Sequence, residues 1–416
     1  MARPRCMAHW THEDLRAWLA PVPGRRRMRL GLTHVRQMLA RLSNPQDAFP
    51  SIHVAGTNGK GSLCAHLAAR AAASGNLVGL FTSPHLVNVE ERARIDGMPI
   101  DEKEFDECLA LVRKASEEAP SIEITYYEKT FLVALISFKR AGVSRAIIET
   151  GLGGRLDATR CVKADFCAIT TISEDHLDIL GPTLVDVARE KAGIHRSGVP
   201  IIMFDPENEE IESQVRRLTG QDFLLHTDNS TDKPWKKWYN MASKIGQQMG
   251  WKKDPMNIRW PGRDGTVYAS GNVAVRLSAA HNLEGISDEA SRLSRDAVIM
   301  IGFTQKDNLD AILAPLMSEE TSRKIIHAVI TEPEHGRLPP HPAREIGDSF
   351  GTTIRHSFAE NALSAFEEAF QRASDKKVEL LIMGSIHLIG DVLAVLNPLK
   401  HDLSNALLVH PPRQPS

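Results

Sequence analysis

The stretch His53-Val54-Ala55-Gly56-Thr57-Asn58-Gly59-Lys60-Gly61-Ser62 decides how this chain is read. An apolar run, residues 49–52, leads into it, and a run of small residues, 63–73, follows. That order describes a buried strand, a glycine-rich turn and the start of a helix. In such a turn, Gly56 to Ser62, successive backbone N–H groups converge on one point. The helix N-terminus adds partial positive charge, so a phosphate is the natural occupant. Lys60 places a point charge where the β- and γ-phosphates of a nucleotide would lie. The fit to the general phosphate-loop pattern is partial. Val54 stands where the pattern has glycine and Gly61 where it has serine or threonine; the hydroxyl arrives one residue later, at Ser62. The alternative is a glycine-rich turn that happens to carry a lysine.

Outward from this loop, short apolar or β-branched runs at 77–82, 145–150, 167–172 and 199–204 alternate with helical patterns. Residues 127–140 keep Phe131, Leu135 and Phe138 on one face, and 183–192 behave alike. The rhythm predicts parallel βαβ units in an α/β fold, with ligands beyond the carboxyl ends of the strands. Residues 221–257 change character: they are polar, carry Trp235, Trp238 and Trp251, and show no strand periodicity. After Trp260-Pro261-Gly262-Arg263 the rhythm resumes at 273–277, 297–301, 325–330 and 378–383. A boundary at 265–271 divides the chain into domains at 1–265 and 272–400. The proline-rich end, 401–416, reads as a disordered tail.

Composition sets limits. A length of 416 residues suits two or three domains; 25% charged and 42% hydrophobic residues suit a soluble globular protein. A net charge of −2 gives no sign of a nucleic-acid or membrane partner, and no apolar run approaches the roughly 20 residues of a membrane span. Cys6, Cys64, Cys108, Cys161 and Cys167 form an odd set without metal spacing, as expected in a reducing compartment. The arginines at 3, 5, 16 and 25–27 leave a mitochondrial presequence open, but Glu13 and Asp14 interrupt the basic face, and cytoplasm is the expectation.

Three further strings follow predicted strands. Phe81-Thr82-Ser83-Pro84-His85-Leu86 precedes Glu90-Glu91-Arg92-Ala93-Arg94-Ile95-Asp96-Gly97. Glu149-Thr150-Gly151-Leu152-Gly153-Gly154-Arg155-Leu156-Asp157-Ala158-Thr159 ends a strand in a carboxylate, which suits Mg²⁺ shared with phosphates; a capping or salt-bridged glutamate is the alternative. Thr170 to Asp178 contains Asp175-His176, where chemistry alone favours a structural or acid–base histidine.

Taken together, these strings resemble the folylpolyglutamate synthase / dihydrofolate synthase family of the Mur ligase superfamily. The resemblance rests on Gly56 to Ser62, Ser83 to Leu86 with Glu91 to Gly97, Glu149 to Thr159, Asp175-His176, Lys191-Ala192-Gly193-Ile194, Trp260 to Arg263 and His281-Asn282. It implies a P-loop NTPase-like N-terminal domain and a smaller Rossmann-like α/β C-terminal domain. It implies a nucleotide site from Gly56, Thr57, Asn58, Gly59, Lys60, Gly61, Ser62, Arg263, His281 and Asn282, and a Mg²⁺ site from Ser83, Glu149 and His176. Substrate contacts are implied for Arg92, Arg94 and Asp157, catalytic roles for Lys60, Lys191 and His281, and carbamylation for Lys191, with an ordinary salt-bridged lysine as the alternative. A monovalent cation could accompany the Mg²⁺. Two positions depart from the family: Arg160 replaces asparagine, and Ser278 replaces a nucleotide-contacting aspartate. The segment before Trp260 is abbreviated, and Asn240 is a candidate adenine contact with a plain surface role as its alternative.

The activity implied is ATP-dependent joining of L-glutamate to a pteroate or folate carboxylate through an acyl phosphate, by a monomer acting on small molecules. Asn58 tilts the acceptor towards dihydropteroate, since dedicated eukaryotic folylpolyglutamate synthases usually carry lysine there. Two other classes stay open: a phosphotransferase or hydrolase without ligation, and a degenerate folate- or nucleotide-binding homologue.

Overall fold

The computed structural model describes residues 10–20, 31–228, 235–255, 258, 260, 262–263, 267–270, 273–336 and 338–396. Two sheets organise them. The first is built from β1 (Ser51–Ala55), β2 (Val78–Phe81), β3 (Ala93–Ile95), β4 (Met98–Pro99), β5 (Arg145–Glu149), β6 (Ala164–Ile169), β7 (Ile201–Phe204) and β8 (Phe223–His226). Their spatial order is β4-β3-β2-β5-β1-β6-β7-β8; the six strands from β2 to β8 run parallel, and β3 and β4 add an antiparallel edge.

Residues of β1 alternate between two cores. Ile52 and Val54 join Ile147 under the helices Lys60–Ala73 and Lys236–Gln248, while Ala55 and Ile148 pack with Phe131, Leu135 and Phe138 on the other face. Burial on both faces is why the central strands read as unbroken apolar runs. Because β2, β5, β1 and β6 are neighbours, their carboxyl ends bring Ser83, Glu149, the phosphate loop and the Thr171–His176 loop to one edge.

The second sheet contains β9 (Val267–Ser270), β10 (Val273–Leu277), β11 (Ala297–Ile301), β12 (Ile325–Ile330), β13 (His356–Phe358) and β14 (Glu379–Met383). Its order is β13-β12-β11-β14-β10-β9, parallel except for β9 against β10. This sheet starts before residue 272, the expected limit, because β9 pairs with β10 from Val267 onward. The expected tail, 401–416, lies outside the described residues. A second correction concerns residues 221–257. That stretch contributes the edge strand β8 and a helix, Lys236–Gln248, whose Trp238, Met241 and Ile245 pack against the phosphate-loop helix.

Candidate active site

β1 runs directly into the phosphate loop. Gly56 takes φ +143°, and a Cβ there would lie 1.8 Å from Thr170 Oγ1; Gly59 takes φ +82°, and a Cβ there would lie 2.1 Å from the Trp238 ring. Only glycine fits either place. The helix Lys60–Ala73 starts without a side-chain cap, so the amides of Lys60, Gly61 and Ser62 point outward unclaimed by the helix, the arrangement that binds an anion. Thr57 N donates to Thr171 O at 2.7 Å and Asn58 N to Thr171 Oγ1 at 3.1 Å, which pins the loop to the segment after β6. Lys60 Nζ folds back on Gly56 O (3.1 Å) and Thr57 O (3.0 Å).

Glu149 is buried at the end of β5, beside the loop, and its Oε2 accepts from Ser83 N at 2.9 Å. Burial pushes its carboxyl above the ordinary glutamate value, opposed by Arg263, Lys60 and Arg92. A buried carboxylate among phosphate-facing cations fits a hard, oxygen-seeking ion. His176, half-exposed on the next loop in a left-handed conformation, has Nε2 3.7 Å from Asp175 Oδ1. Among the described residues no group of three or more His, Cys, Asp or Glu side chains forms a ready-made metal cage. A metal at Glu149 and Ser83 would therefore take further oxygens from phosphate and water, as Mg²⁺ commonly does. Arg263 lies over the first helical turn: a Cβ on Gly61 would stand 3.0 Å from its Nη1.

The second sheet faces this edge. Asn282 caps the helix Leu283–Arg292, and its side-chain amide exchanges hydrogen bonds with that of Asn58, both at 3.2 Å. His281 donates from Nδ1 to Ala279 O at 2.8 Å, which leaves the lone pair on Nε2; burial, with Lys306, lowers its pKa to about 4. Burial also pushes Asp175 up, but His176, His281, Lys60 and Lys191 outweigh it and hold the carboxyl below its ordinary value. Lys191 is buried with Nζ 2.8 Å from Gly56 O, and burial together with Lys60 lowers its pKa to about 7. The two lysines thus share one carbonyl of the phosphate loop.

The residues expected to contact substrate make structural contacts of their own. Asp157 does not face open space. Its Oδ2 accepts from the amides of Gly151 (3.0 Å) and Leu152 (3.1 Å), and its Oδ1 from Thr159 N (2.9 Å), the Thr159 hydroxyl and Tyr127 OH (3.3 Å). The carboxylate thereby holds the glycine-rich loop in shape. Arg94, 2% exposed, donates to Gly97 O at 3.2 Å, stacks on Trp260 at 5.6 Å and lines a small cavity together with His85, Glu91 and Arg263. Arg92 remains near the site, donating to His85 Nδ1 at 2.9 Å. Asn240 donates to Asp228 at 2.8 Å.

The two departures from the family have structural reasons. Arg160 donates to Gly193 O (2.8 Å) and His195 O (2.7 Å), closing the end of the helix Leu184–Ala192 that carries Lys191. Ser278 donates to Glu289 Oε1 at 2.7 Å inside a buried Arg276–Glu289 pair; an aspartate there would set two carboxylates against each other. Asp175, Glu284 and Lys306 join the site although none was given a role of its own; Gly302 to Asp307, which holds Lys306, is a weaker match to the family that was expected to shape the domain cleft. The first lay within a quoted string, whereas Glu284 occupies a helix first turn where an acid is ordinary and gives no chemical signal.

No protein-family model matches the chain. Among curated proteins it is similar to the Escherichia coli dihydrofolate synthase/folylpolyglutamate synthase, 42% identical over 191 residues, 46% of this chain and 44% of that protein. The match thus spans less than half of that relative's length. The Saccharomyces cerevisiae dihydrofolate synthetase is 38% identical over 428 residues, covering 88% of this chain and 98% of the yeast protein. Among solved structures, Escherichia coli FolC in complex with DHPP and ADP superposes with a TM-score of 0.79 at 26% identity, over 93% of this chain and 98% of the other. A Yersinia pestis bifunctional folylpolyglutamate synthase/dihydrofolate synthase complexed with AMPPNP and a Mn ion follows at 0.76 and 27%, over 92% and 98%.

Proposed function

The chain belongs to the dihydrofolate synthase / folylpolyglutamate synthase family, and on that premise we propose that it joins L-glutamate to a pteroate or folate carboxylate at the expense of ATP. The observation that carries the reading is the meeting of two sheet edges. A phosphate loop with unclaimed amides is roofed by Arg263, His281 and Asn282, beside the buried carboxylate of Glu149.

The acceptor carboxylate attacks the γ-phosphorus, the bond to the ADP oxygen breaks, and an acyl phosphate forms. Two anions must approach each other, so the protein's task is neutralisation and alignment. Lys60 leaves its own loop carbonyls for the phosphates, the amides of Lys60 to Ser62 cradle them, and Arg263 closes from above. Glu149 and Ser83, with His176 on the neighbouring loop, would hold a divalent cation, which would supply further positive charge to the phosphate oxygens. Arg92 steers the anionic acceptor. Glutamate's amine then attacks the acyl carbon, and phosphate leaves. The amine's protons need an acceptor, and the Nε2 lone pair of His281 and the ionised Asp175 stand ready. Lys191, with its lowered pKa, holds a neutral amine fraction able to add CO₂ at nitrogen and, with loss of one N–H proton to solvent, become a carbamate, which trades a cation for anionic oxygens.

The cysteines Cys64, Cys108, Cys161 and Cys167 are free thiols, which supports a reducing, cytoplasmic setting. Among the described residues no helix is long and apolar enough to cross a membrane. The test is substrate dependence. Phosphate release should require ATP, Mg²⁺, a pterin carboxylate and glutamate together; full-rate hydrolysis without glutamate would overturn the proposal.

A further inference from the structure

Glu284 stands at the second position of the helix Leu283–Arg292, in the second sheet's domain, yet every side-chain partner of its Oε2 belongs to the first. That one oxygen accepts from Asn58 Nδ2 at 2.6 Å, Ser173 Oγ at 2.6 Å and Thr171 Oγ1 at 3.2 Å. The three donors are wired to each other through the phosphate loop. Thr171 Oγ1 accepts from Asn58 N (3.1 Å), Thr171 O accepts from Thr57 N (2.7 Å), and Thr57 Oγ1 both accepts from Ser173 N (3.1 Å) and donates to Ser173 O (3.2 Å). One carboxylate therefore closes a ring that runs through the segment after β1, the segment after β6 and the opposite domain. Hydrogen bonds to an ionised acceptor are about twice as strong as neutral ones, so this is the strongest polar tie in the ring. The neighbouring Asn58–Asn282 pair is neutral and longer.

We propose that Glu284 is the positioning residue that couples seating of the second domain to the shape of the phosphate loop. With Glu284 seated, Asn58 and Thr57 hold the loop open for phosphate, and His281, three residues away in the second domain, is carried over the reacting groups by the same rigid-body contact. Without it, Asn58, Thr171 and Ser173 lose their shared acceptor, the domains part more easily, and water reaches the acyl phosphate before glutamate does. The inference rests on the ligase reading for its kinetic consequence but not for its geometric one.

The test compares wild type, Glu284→Gln and Glu284→Ala as full chains. The amide oxygen of Gln keeps an acceptor without charge; Ala removes it. With ATP, Mg²⁺, glutamate and dihydropteroate, kcat/KM for ATP should fall about ten- to a hundredfold in Glu284→Ala, the scale of losing bonds to a charged acceptor, and less in Glu284→Gln. The ratio of phosphate released to amide formed should rise from near one in wild type to several in Glu284→Ala, with Glu284→Gln between. Small-angle X-ray scattering of the ligand-free chains should show a larger radius of gyration for Glu284→Ala. A folded Glu284→Ala whose two products fall in proportion and whose scattering matches wild type would overturn the inference. If wild type itself forms no amide, the ligase reading falls, and the scattering comparison still decides for or against the coupling.

Discussion

Replacing Lys191 with methionine should stabilise the protein, by an amount that shrinks as pH rises. In the fold Lys191 is 2% exposed, and burial, reinforced by Lys60, lowers its pKa from 10.5 to about 7. That difference, about 3.5, corresponds to about 5 kcal/mol at 1.36 kcal/mol per pKa unit. The sign follows from proton counts. The unfolded chain keeps the lysine proton up to its ordinary value and the folded chain only up to about 7, so between the two the unfolded state binds more protons and wild-type stability climbs with pH. Below about pH 7 the full cost of burying the ammonium is present; by about pH 9 it has fallen to about 2 kcal/mol. Methionine removes that cost and fills similar volume. It also deletes the 2.8 Å bond to Gly56 O, a loss of about 1 kcal/mol at every pH, although Lys60 still donates to that carbonyl. Urea unfolding of both proteins, ligand-free and in carbonate-free buffer at about pH 6, 7.5 and 9, reads the difference directly. The advantage of Lys191→Met should drop by about 3 kcal/mol across this range. A difference that does not change with pH, or a variant less stable than wild type at pH 6, would refute the account of Lys191 as a buried, depressed-pKa amine.

Glu149→Gln should lower turnover by about 10²-fold at saturating Mg²⁺, while thermal melts show the fold intact, because burial already disfavours the charge that the substitution removes. His176→Ala should also cost about 10²-fold if its imidazole completes the metal site; near-normal turnover would remove it from that role. Lys60→Ala should abolish phosphate transfer, since no other loop residue carries positive charge, and an equilibrium ATP-binding measurement should show weakened binding. Gly56→Ala should destabilise the chain by about 1–3 kcal/mol and cripple ATP binding. Its Cβ has only 1.8 Å to Thr170 Oγ1 and its φ of +143° suits glycine alone; unchanged urea midpoints would show that the loop relaxes freely.

What the sequence disclosed follows from where each residue sits. Strand β11 is visible to the residue at 297–301, because a strand covered on both faces is written as an unbroken apolar run; β10 at 273–277 and β12 at 325–330 are long enough to show through Arg276 and His327. The edges were not legible. β8 is four residues long at the rim of its sheet, and β3 hides behind Arg94, a charged residue that is buried against Trp260. In a strand of only three residues, one buried arginine leaves too few apolar positions to mark it. The phosphate loop and the Glu149 string were legible because each is one continuous segment whose backbone does the chemistry. The internal bonds of Asp157 were not legible, because a carboxylate in a glycine-rich loop looks the same whether it faces a ligand or its own amides. The contacts of Glu284 depend on how two sheets face each other across more than a hundred residues of chain, which no local pattern records.

The central claim is that the acceptor's own carboxylate oxygen takes the γ-phosphoryl group before glutamate's nitrogen replaces it. Dihydropteroate carrying ¹⁸O in its carboxylate, turned over once with unlabelled ATP, Mg²⁺ and glutamate, tests this atom by atom. An acyl phosphate broken by amine attack at carbon leaves one labelled oxygen in the released phosphate and a product heavier by one glutamyl residue. Phosphate free of label, with the acceptor recovered unchanged, would show that the phosphoryl group went to water and would contradict the ligase account.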